Sequence, residues 1–333
     1  MKALVLEKAD GPASAALQEA PVPVPQAGEV RVAIKAASLN HRELWISRGM
    51  YPGMKLPCIL GADGAGVIDA VGAGVSSSEI GREVVLYPAL NWGNDRRFPS
   101  AAFGLLGMPG PGTIAESICV PAASALAKPA HLSFEEAAAF PTAGVTAWRA
   151  LVGKGQVAGG DKVLVTGIGG GVATFALKFA LAHGAEVFVT SSSPASIAKA
   201  VELGAKAGFN YKEEGWRKAL GQASGGVDIV IDGAPAGAYA GYARSLRMGA
   251  RVVIYGSTGG AQFQVTAPDV FLRHASIIGT AMGDLEDFRA MLAFVAEKRL
   301  RPAIDRSFRL AEAPAALLYL EQGHQFGKVT ITP

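Results

Sequence analysis

The sequence has 333 residues, half of them hydrophobic and 18% charged, which is enough apolar material for two domains of about 150 residues each. A net charge of +3, spread along the chain, offers no basic field to nucleic acid or an anionic membrane surface. No apolar run reaches the ~18 residues of a membrane span. Two cysteines, Cys58 and Cys119, exclude a disulfide framework. Met1–Leu6 reads as a strand, too short for the apolar region of a signal peptide, so a cytoplasmic protein is expected.

The N-terminal part holds short β-type runs, Val30–Ala36, Gly66–Val71, Glu83–Tyr87 and Ile114–Val120, cut by Pro and Gly, which predict a mostly antiparallel β domain. Residues 88–112 mix Pro, Gly, Asn and Asp without a period and predict a long exposed loop or lobe. Ser133, with Glu136 three residues on, predicts a helix start. From Asp161 strands and helices alternate. Strands are expected at Lys162–Thr166, Glu186–Thr190, Gly208–Tyr211, Val227–Asp232, Arg251–Tyr255 and Ser276–Thr280, with helices near 172–183, 195–203, 214–220 and 238–246. Apolar strands in this rhythm predict a parallel sheet covered on both faces. Asp284 then caps an amphipathic helix with Phe288, Met291, Leu292 and Val295 on one face. A helix near 314–322 and a closing strand at Lys328–Thr332 are expected to return to the first domain.

The most informative stretch is Val163-Leu164-Val165-Thr166-Gly167-Ile168-Gly169-Gly170-Gly171-Val172-Ala173. A buried strand runs through a glycine-rich turn directly into a helix. Glycines let the backbone approach a pyrophosphate, and the free N–H groups and dipole of the helix start favour its charge. Such a turn at the first strand–helix junction of an alternating run points to a dinucleotide. An acidic residue at the end of the next strand would bind the ribose 2′-hydroxyl of NAD and repel a 2′-phosphate. This chain has Thr190-Ser191-Ser192-Ser193 there, which favours NADPH over NADH, although the serines also suit a cap for the helix after Pro194.

The order of parts resembles the medium-chain dehydrogenase/reductase superfamily and, within it, the zinc-free quinone oxidoreductase-like branch. The resemblance rests on Ser38-Leu39-Asn40-His41-Arg42-Glu43, Gly61-Ala62-Asp63-Gly64-Ala65-Gly66-Val67, Pro141 through Trp148, the glycine turn, Glu202-Leu203-Gly204-Ala205 and Gln325-Phe326-Gly327-Lys328-Val329. Gly167, Gly170 and Ala173 fall at the spacing A-x-x-G-x-x-G. The resemblance implies an α/β protein with a GroES-like β domain, residues 1–123 completed by 283–333. A Rossmann domain with a doubly wound parallel sheet would occupy 124–282. Zinc-bearing relatives carry a Cys, a His-Glu pair and a later Cys or Asp as catalytic ligands; the corresponding places here hold Asn40 and Ala62-Asp63, with neither Cys nor His in 134–148. The stretch 91–112, where the family's structural zinc lobe carries four cysteines, has none. Both zinc sites are expected to be absent.

Without a Lewis acid, a conjugated acceptor suits the chemistry, because hydride addition to a quinone or enone spreads charge onto a distant oxygen. The resemblance places Asn40, Trp45 and Tyr51 near the nicotinamide. Asn40 could donate its amide or simply cap the helix near His41–Ser47; Trp45 offers a flat apolar wall, and Tyr51 a phenol. His41 is a candidate proton relay, and Arg42 reads as solvated or salt-bridged. Implied cofactor contacts are Thr146, Gly170, Gly171 and Val172 at the phosphates, Ser191, Ser192, Ser193 and Tyr211 at the adenosine phosphate, and Gly256, Ser257, Gly279 and Lys328 around the cleft. Ser196 stands where relatives often place a Lys. The strand at Ser276–Thr280 commonly extends the sheet across a two-fold axis in this family, so a homodimer is expected. The partners expected are a small quinone or enone, with no nucleic acid and no membrane. Two alternatives stay open: a 2-enoyl thioester reductase using Tyr51 as proton donor, and a low-turnover NADPH-binding sensor.

Overall fold

The computed structural model describes all 333 residues, which divide into two units: Met1–Ala143 with Asp284–Pro333, and Gly144–Gly283. Unit 1 opens with the antiparallel pair β1 (Lys2–Leu6) and β2 (Ala15–Glu19). In β3 (Glu29–Ser38) the buried Val30, Val32 and Ile34 alternate with Arg31, Ala33 and the exposed Lys35, the period of a half-buried strand. It feeds α1 (His41–Ser47). The N-terminal part continues with β4 (Cys58–Ile59), β5 (Asp63–Val71), β6 (Glu83–Leu86), β7 (Ala89–Leu90), β8 (Gly104–Leu105), β9 (Ser117–Pro121), β10 (Ala125–Ala127) and α2 (Phe134–Ala139).

The expected lobe at 88–112 is not a bare loop. β7 and β8 pair within it, and Trp92, Leu105, Leu106 and Met108 are buried. These apolar residues have no period that a sequence reading could use. The sequence put the end of the first domain near residue 123, whereas residues 124–143 belong to unit 1, because α2 packs on β3 and β5.

The chain passes into unit 2 through α3 (Pro141–Trp148). There β11 (Lys162–Val165), α4 (Gly171–Ala182), β12 (Glu186–Ser191), α5 (Pro194–Glu202), β13 (Ala207–Asn210), α6 (Trp216–Ser224), β14 (Val227–Asp232), α7 (Pro235–Tyr242), β15 (Leu246–Ile254), α8 (Ala267–Phe271) and β16 (Ser276–Gly279) follow in turn. All six strands are parallel, in the spatial order β13-β12-β11-β14-β15-β16. This is the doubly wound Rossmann arrangement, and the order reverses between β11 and β14, the switch point at whose carboxyl ends sheets of this kind bind ligands. Val163, Leu164 and Val165 are fully buried, as strands covered on both faces require. Each such side chain contributes about 1.5–3 kcal/mol by leaving water.

The chain then returns to unit 1 with α9 (Leu285–Glu297), β17 (Ile304–Arg309), α10 (Ala313–Glu321) and β18 (Lys328–Thr332). Asp284 caps α9 by accepting from the Asp287 amide at 2.7 Å. β18 runs antiparallel to β3, with Thr330 opposite Ser38, and this brings Lys328 to the end of β3. β17, parallel to β18, has no clear signature in the sequence, since Phe308 is its one buried side chain among charged neighbours. The unit 1 core gathers both ends of the chain, with Leu4, Val32, Leu44 and Ile68 packed among Leu317 and Val329.

Candidate active site

In unit 2 the strand-to-helix junction after β11 bends through Gly167 at φ 62° and Gly169 at φ 129°, conformations that favour glycine. A Cβ added to Gly167 or Gly170 would meet nothing within 4 Å, so open space lies over the turn. Gly170 is the N-cap of α4 and has no side chain to satisfy the first-turn N–H groups, which leaves the amides of Gly171 and Val172 for an anion. The turn is pinned from both sides. Gly167 N–H donates to Thr190 Oγ1 at 3.4 Å, Ile168 N–H donates to the Thr190 carbonyl at 2.8 Å, and the Thr166 hydroxyl donates to Asp232 at 2.7 Å. Residues and chemistry fit a dinucleotide diphosphate.

The same strand edge collects the expected adenosine-side residues. Ser191 ends β12 and Ser192 and Ser193 follow it, and the Tyr211 amide donates to the Ser191 carbonyl at 3.2 Å. The Ser193 hydroxyl accepts from the Ser196 amide at 3.2 Å and so caps α5, while Ser191 Oγ accepts from the Ser193 amide at 3.1 Å. A hydroxyl that accepts still has its own proton to donate, so the cap and a phosphate contact are compatible. Gly256 and Ser257 follow β15, and Gly279 closes β16, at the same carboxyl edge. Thr146 lies buried in α3, its hydroxyl 3.7 Å from Met282 Sδ.

Sequence reasoning missed Asp232. This fully buried carboxylate at the end of β14 accepts from Thr166 Oγ1, from the Ala234 amide at 2.8 Å and from the Tyr242 hydroxyl at 2.7 Å. Burial, then the neighbouring Asp232 charge, push the Tyr242 phenol far above its usual value, so it stays a donor. The only available signal was an acidic residue closing an apolar strand.

Unit 1 assembles a second polar cluster. Asn40 is the N-cap of α1, its amide donating to Glu43 Oε2 at 2.7 Å, but its carboxamide turns elsewhere. Asn40 Nδ2 donates to Asp63 Oδ2 at 2.9 Å. Lys328 Nζ donates to Asn40 Oδ1, to Asp63 Oδ2 at 3.1 Å and to the Leu39 carbonyl at 2.8 Å. Asp63 Oδ1 accepts from the Thr142 amide at 2.8 Å, and the Ser38 hydroxyl lies 3.2 Å from Oδ2. Asp63 and Lys328 are sealed from solvent, whereas Asn40 is half-buried. All three ammonium hydrogens of Lys328 are thus spent inside unit 1.

The other unit 1 candidates lie on or after α1. Trp45 is half-buried, and Tyr51 packs on the core with the Arg42 guanidinium 4.9 Å above its ring. Arg42 is buried, paired with the sealed Glu43 at 3.0 Å and donating to the Leu106 carbonyl at 2.8 Å, so it anchors the lobe. Burial raises the Glu43 carboxyl above its ordinary value, partly offset by Arg42. His41 is exposed at the start of α1, and partial desolvation, with the Arg48 charge, holds it below the usual imidazole value. Burial pushes the Cys58 and Cys119 thiols up to about 11, which removes both as nucleophiles at neutral pH.

Residues 26–130 match the family described as alcohol dehydrogenase GroES-like domain, and residues 171–297 the family described as zinc-binding dehydrogenase. A zinc-type alcohol dehydrogenase-like protein of Leptosphaeria maculans is 35% identical across 93% of this chain and 92% of its own length. The chain belongs to the medium-chain dehydrogenase/reductase superfamily. This dehydrogenase/reductase also resembles an acryloyl-coenzyme A reductase of Metallosphaera sedula, 30% identical over 95% of this chain and 96% of that one, and a mouse quinone oxidoreductase, 29% identical over 95% and 92%. A solved structure described as an NAD-dependent alcohol dehydrogenase superposes with a TM-score of 0.94 at 37% identity, covering both chains fully. The fold is accordingly a GroES-like domain with a Rossmann-like parallel sheet, and the protein is an oxidoreductase of a family that binds a nicotinamide cofactor.

The family's name implies zinc, and the residues present do not fit it. No three His, Cys, Asp or Glu side chains come together. Asp63, the carboxylate nearest the expected ligand place, already faces the Lys328 ammonium at 3.1 Å, which would repel a second cation.

Proposed function

We propose that this dehydrogenase/reductase is an NADPH-dependent reductase of quinones or α,β-unsaturated carbonyls that works without zinc. The observation that supports the reading most is the uncapped, pinned glycine turn after β11, with hydroxyls and no carboxylate at the end of β12. The relative described as NAD-dependent leaves the choice of cofactor to this chain's own Ser191–Ser193, and an absent acidic residue there removes the repulsion a 2′-phosphate would meet. Gly170, Gly171 and Val172 would hold the diphosphate. Ser191, Ser192, Ser193, Ser196 and Tyr211 would line the adenosine phosphate, with Thr146, Gly256, Ser257 and Gly279 along the same ligand.

The bound cofactor supplies a hydride: NADPH, quinone and one proton become NADP⁺ and hydroquinone. The chain's task is to orient the acceptor and stabilise charge growing on its oxygen. Asn40 is the proposed donor, Trp45 the apolar wall, and Tyr51 and His41 further polar candidates. The quinone oxidoreductase and the acryloyl-coenzyme A reductase among the relatives both carry names of conjugated acceptors, which supports this class. A homodimer is proposed through β16, the edge strand of the sheet, paired with β15 on one side only, where Ile277 is exposed on the strand and Phe271 and Leu272 at the end of α8 before it. The two free cysteines fit a reducing, cytoplasmic setting.

The test is to mix the protein with NADPH or NADH and phenanthrenequinone, an enone or an enoyl thioester, following the near-ultraviolet absorbance of the reduced nicotinamide. Faster consumption of NADPH with the quinone or enone is expected. Turnover of the thioester alone would move the substrate to that class, and cofactor binding without consumption across these acceptors would favour the low-turnover sensor.

A further inference from the structure

Donor and acceptor chemistry fixes the Asn40 carboxamide in one orientation. An ammonium can only donate, so Oδ1 must face Lys328; a carboxylate can only accept, so Nδ2 must face Asp63. Turning the amide over would set N–H against ammonium and oxygen against carboxylate. Of the two Nδ2 hydrogens, one goes to Asp63 and the other is directed away from the pair, on the one member of the triad that is half-buried rather than sealed. The lock is assembled from three distant stretches, Ser38–Asn40, Asp63 and Lys328, and is held in turn by the Leu39 carbonyl, the Thr142 amide and the Ser38 hydroxyl.

We propose that Lys328 and Asp63 are positioning residues that aim the spare N–H of Asn40 at the acceptor's carbonyl oxygen, so that a polarised amide stands where zinc-named relatives would need a metal. This rests on the reductase reading above. As the hydride reaches the acceptor, negative charge collects on that oxygen. Asn40 donates a hydrogen bond to it, Lys328 withdraws electron density through Oδ1 and so makes the N–H a stronger donor, and a solvent proton completes the product. Lys328 reaches the reaction only through Asn40, a different role from a direct cofactor contact.

The test compares Asn40→Asp, Lys328→Met, Lys328→Arg, Asp63→Asn and the double variant Asp63→Asn/Lys328→Met, measuring kcat and KM for phenanthrenequinone, Kd for NADPH by fluorescence titration, and the melting temperature. Asn40→Asp keeps the shape and removes the donor; its carboxylate pairs with Lys328 but also meets the Asp63 carboxylate, so its melting temperature is read beside kcat. It is expected to lower kcat by roughly 100-fold, the loss typical of one missing oxyanion donor, with Kd for NADPH within about threefold of wild type. Lys328→Met should match it in kcat, and Lys328→Arg should recover most of the loss. The double variant, which removes both buried charges, should regain the melting temperature lost by either single variant without regaining kcat. If the double variant recovers kcat along with stability, the pair is merely structural and the inference fails. If Lys328→Met weakens NADPH binding tenfold or more at unchanged kcat, Lys328 is a cofactor ligand and the inference fails. A wild-type protein that turns over neither quinone nor enone overturns the reductase reading itself, and the inference with it.

Discussion

Three carboxylates are sealed completely inside this protein, and two of them, Asp63 and Asp232, are kept there by opposite means in the two units. Asp63 in unit 1 faces the Lys328 ammonium, so charge is balanced, and its neighbours are chain segments far apart in sequence. Asp232 in unit 2 has no ion pair; two hydroxyls and one amide carry the whole cost of its burial. An ion pair neutralises a charge without fixing direction strongly, whereas neutral donors must each be aimed well to be worth anything. The contrast separates a cluster suited to polarising a neighbour from one suited to holding a turn still.

The largest break should come from Lys328→Met, which leaves Asp63 buried beside no cation. A loss of about 3–5 kcal/mol in urea unfolding is expected. Tyr242→Phe removes one of three neutral donors to Asp232 and should cost about 1.5–3 kcal/mol, the worth of a hydrogen bond to a charged group. Because Asp232 also holds Thr166, the same variant should weaken NADPH binding in a fluorescence titration, and unchanged affinity would disconnect Asp232 from the glycine turn. Ser193→Ala removes the cap of α5, for about 1 kcal/mol in the same unfolding assay. A larger shift in NADPH than in NADH affinity would add the phosphate role to the cap.

The smallest effect concerns His41. Its pKa in the folded protein lies below the unfolded value, so the unfolded chain takes up the proton more readily. Stability is full above about pH 6.5 and falls as pH drops through that value towards the folded pKa. His41→Gln should flatten the acid side of a plot of unfolding free energy against pH. An identical slope in both proteins would show that the imidazole titrates as freely in the fold as in the unfolded chain.

What the sequence disclosed follows the reach of its signals. The run from Val163 to Ala173 declares strand, turn and helix within eleven neighbouring residues, and Ser133 and Asp284 announce helix starts through partners three positions away. Parallel strands declare themselves because they are apolar on both faces. Local patterning fails where the partners are distant. The order of Asn40, Asp63 and Lys328 along the chain gives no hint that their atoms meet, and the family resemblance, which sets Lys328 at the cofactor cleft, does not pair it with Asp63. Arg42 reads as solvated or salt-bridged, and its pairing with Glu43 fits the second; its burial and its hold on the lobe through the distant Leu106 carbonyl leave no trace in the local sequence. Asp232 was hidden by its position, since an acidic residue at a strand end is usually solvated.

The return of β18 to β3 also bears on how the molecule is made. Unit 2 is one unbroken stretch of chain and has all its strands once residue 283 has been synthesised, so it can fold while translation continues. Unit 1 cannot finish at that stage. Asp63 leaves the ribosome long before Lys328 does, and until then the nascent β domain carries an unbalanced acid and a C-terminal end of β3 that lacks its β18 partner. A nascent chain stalled short of residue 328 should therefore show a protease-resistant Rossmann core beside a digestible N-terminal half, with resistance spreading to that half only after the final strand emerges.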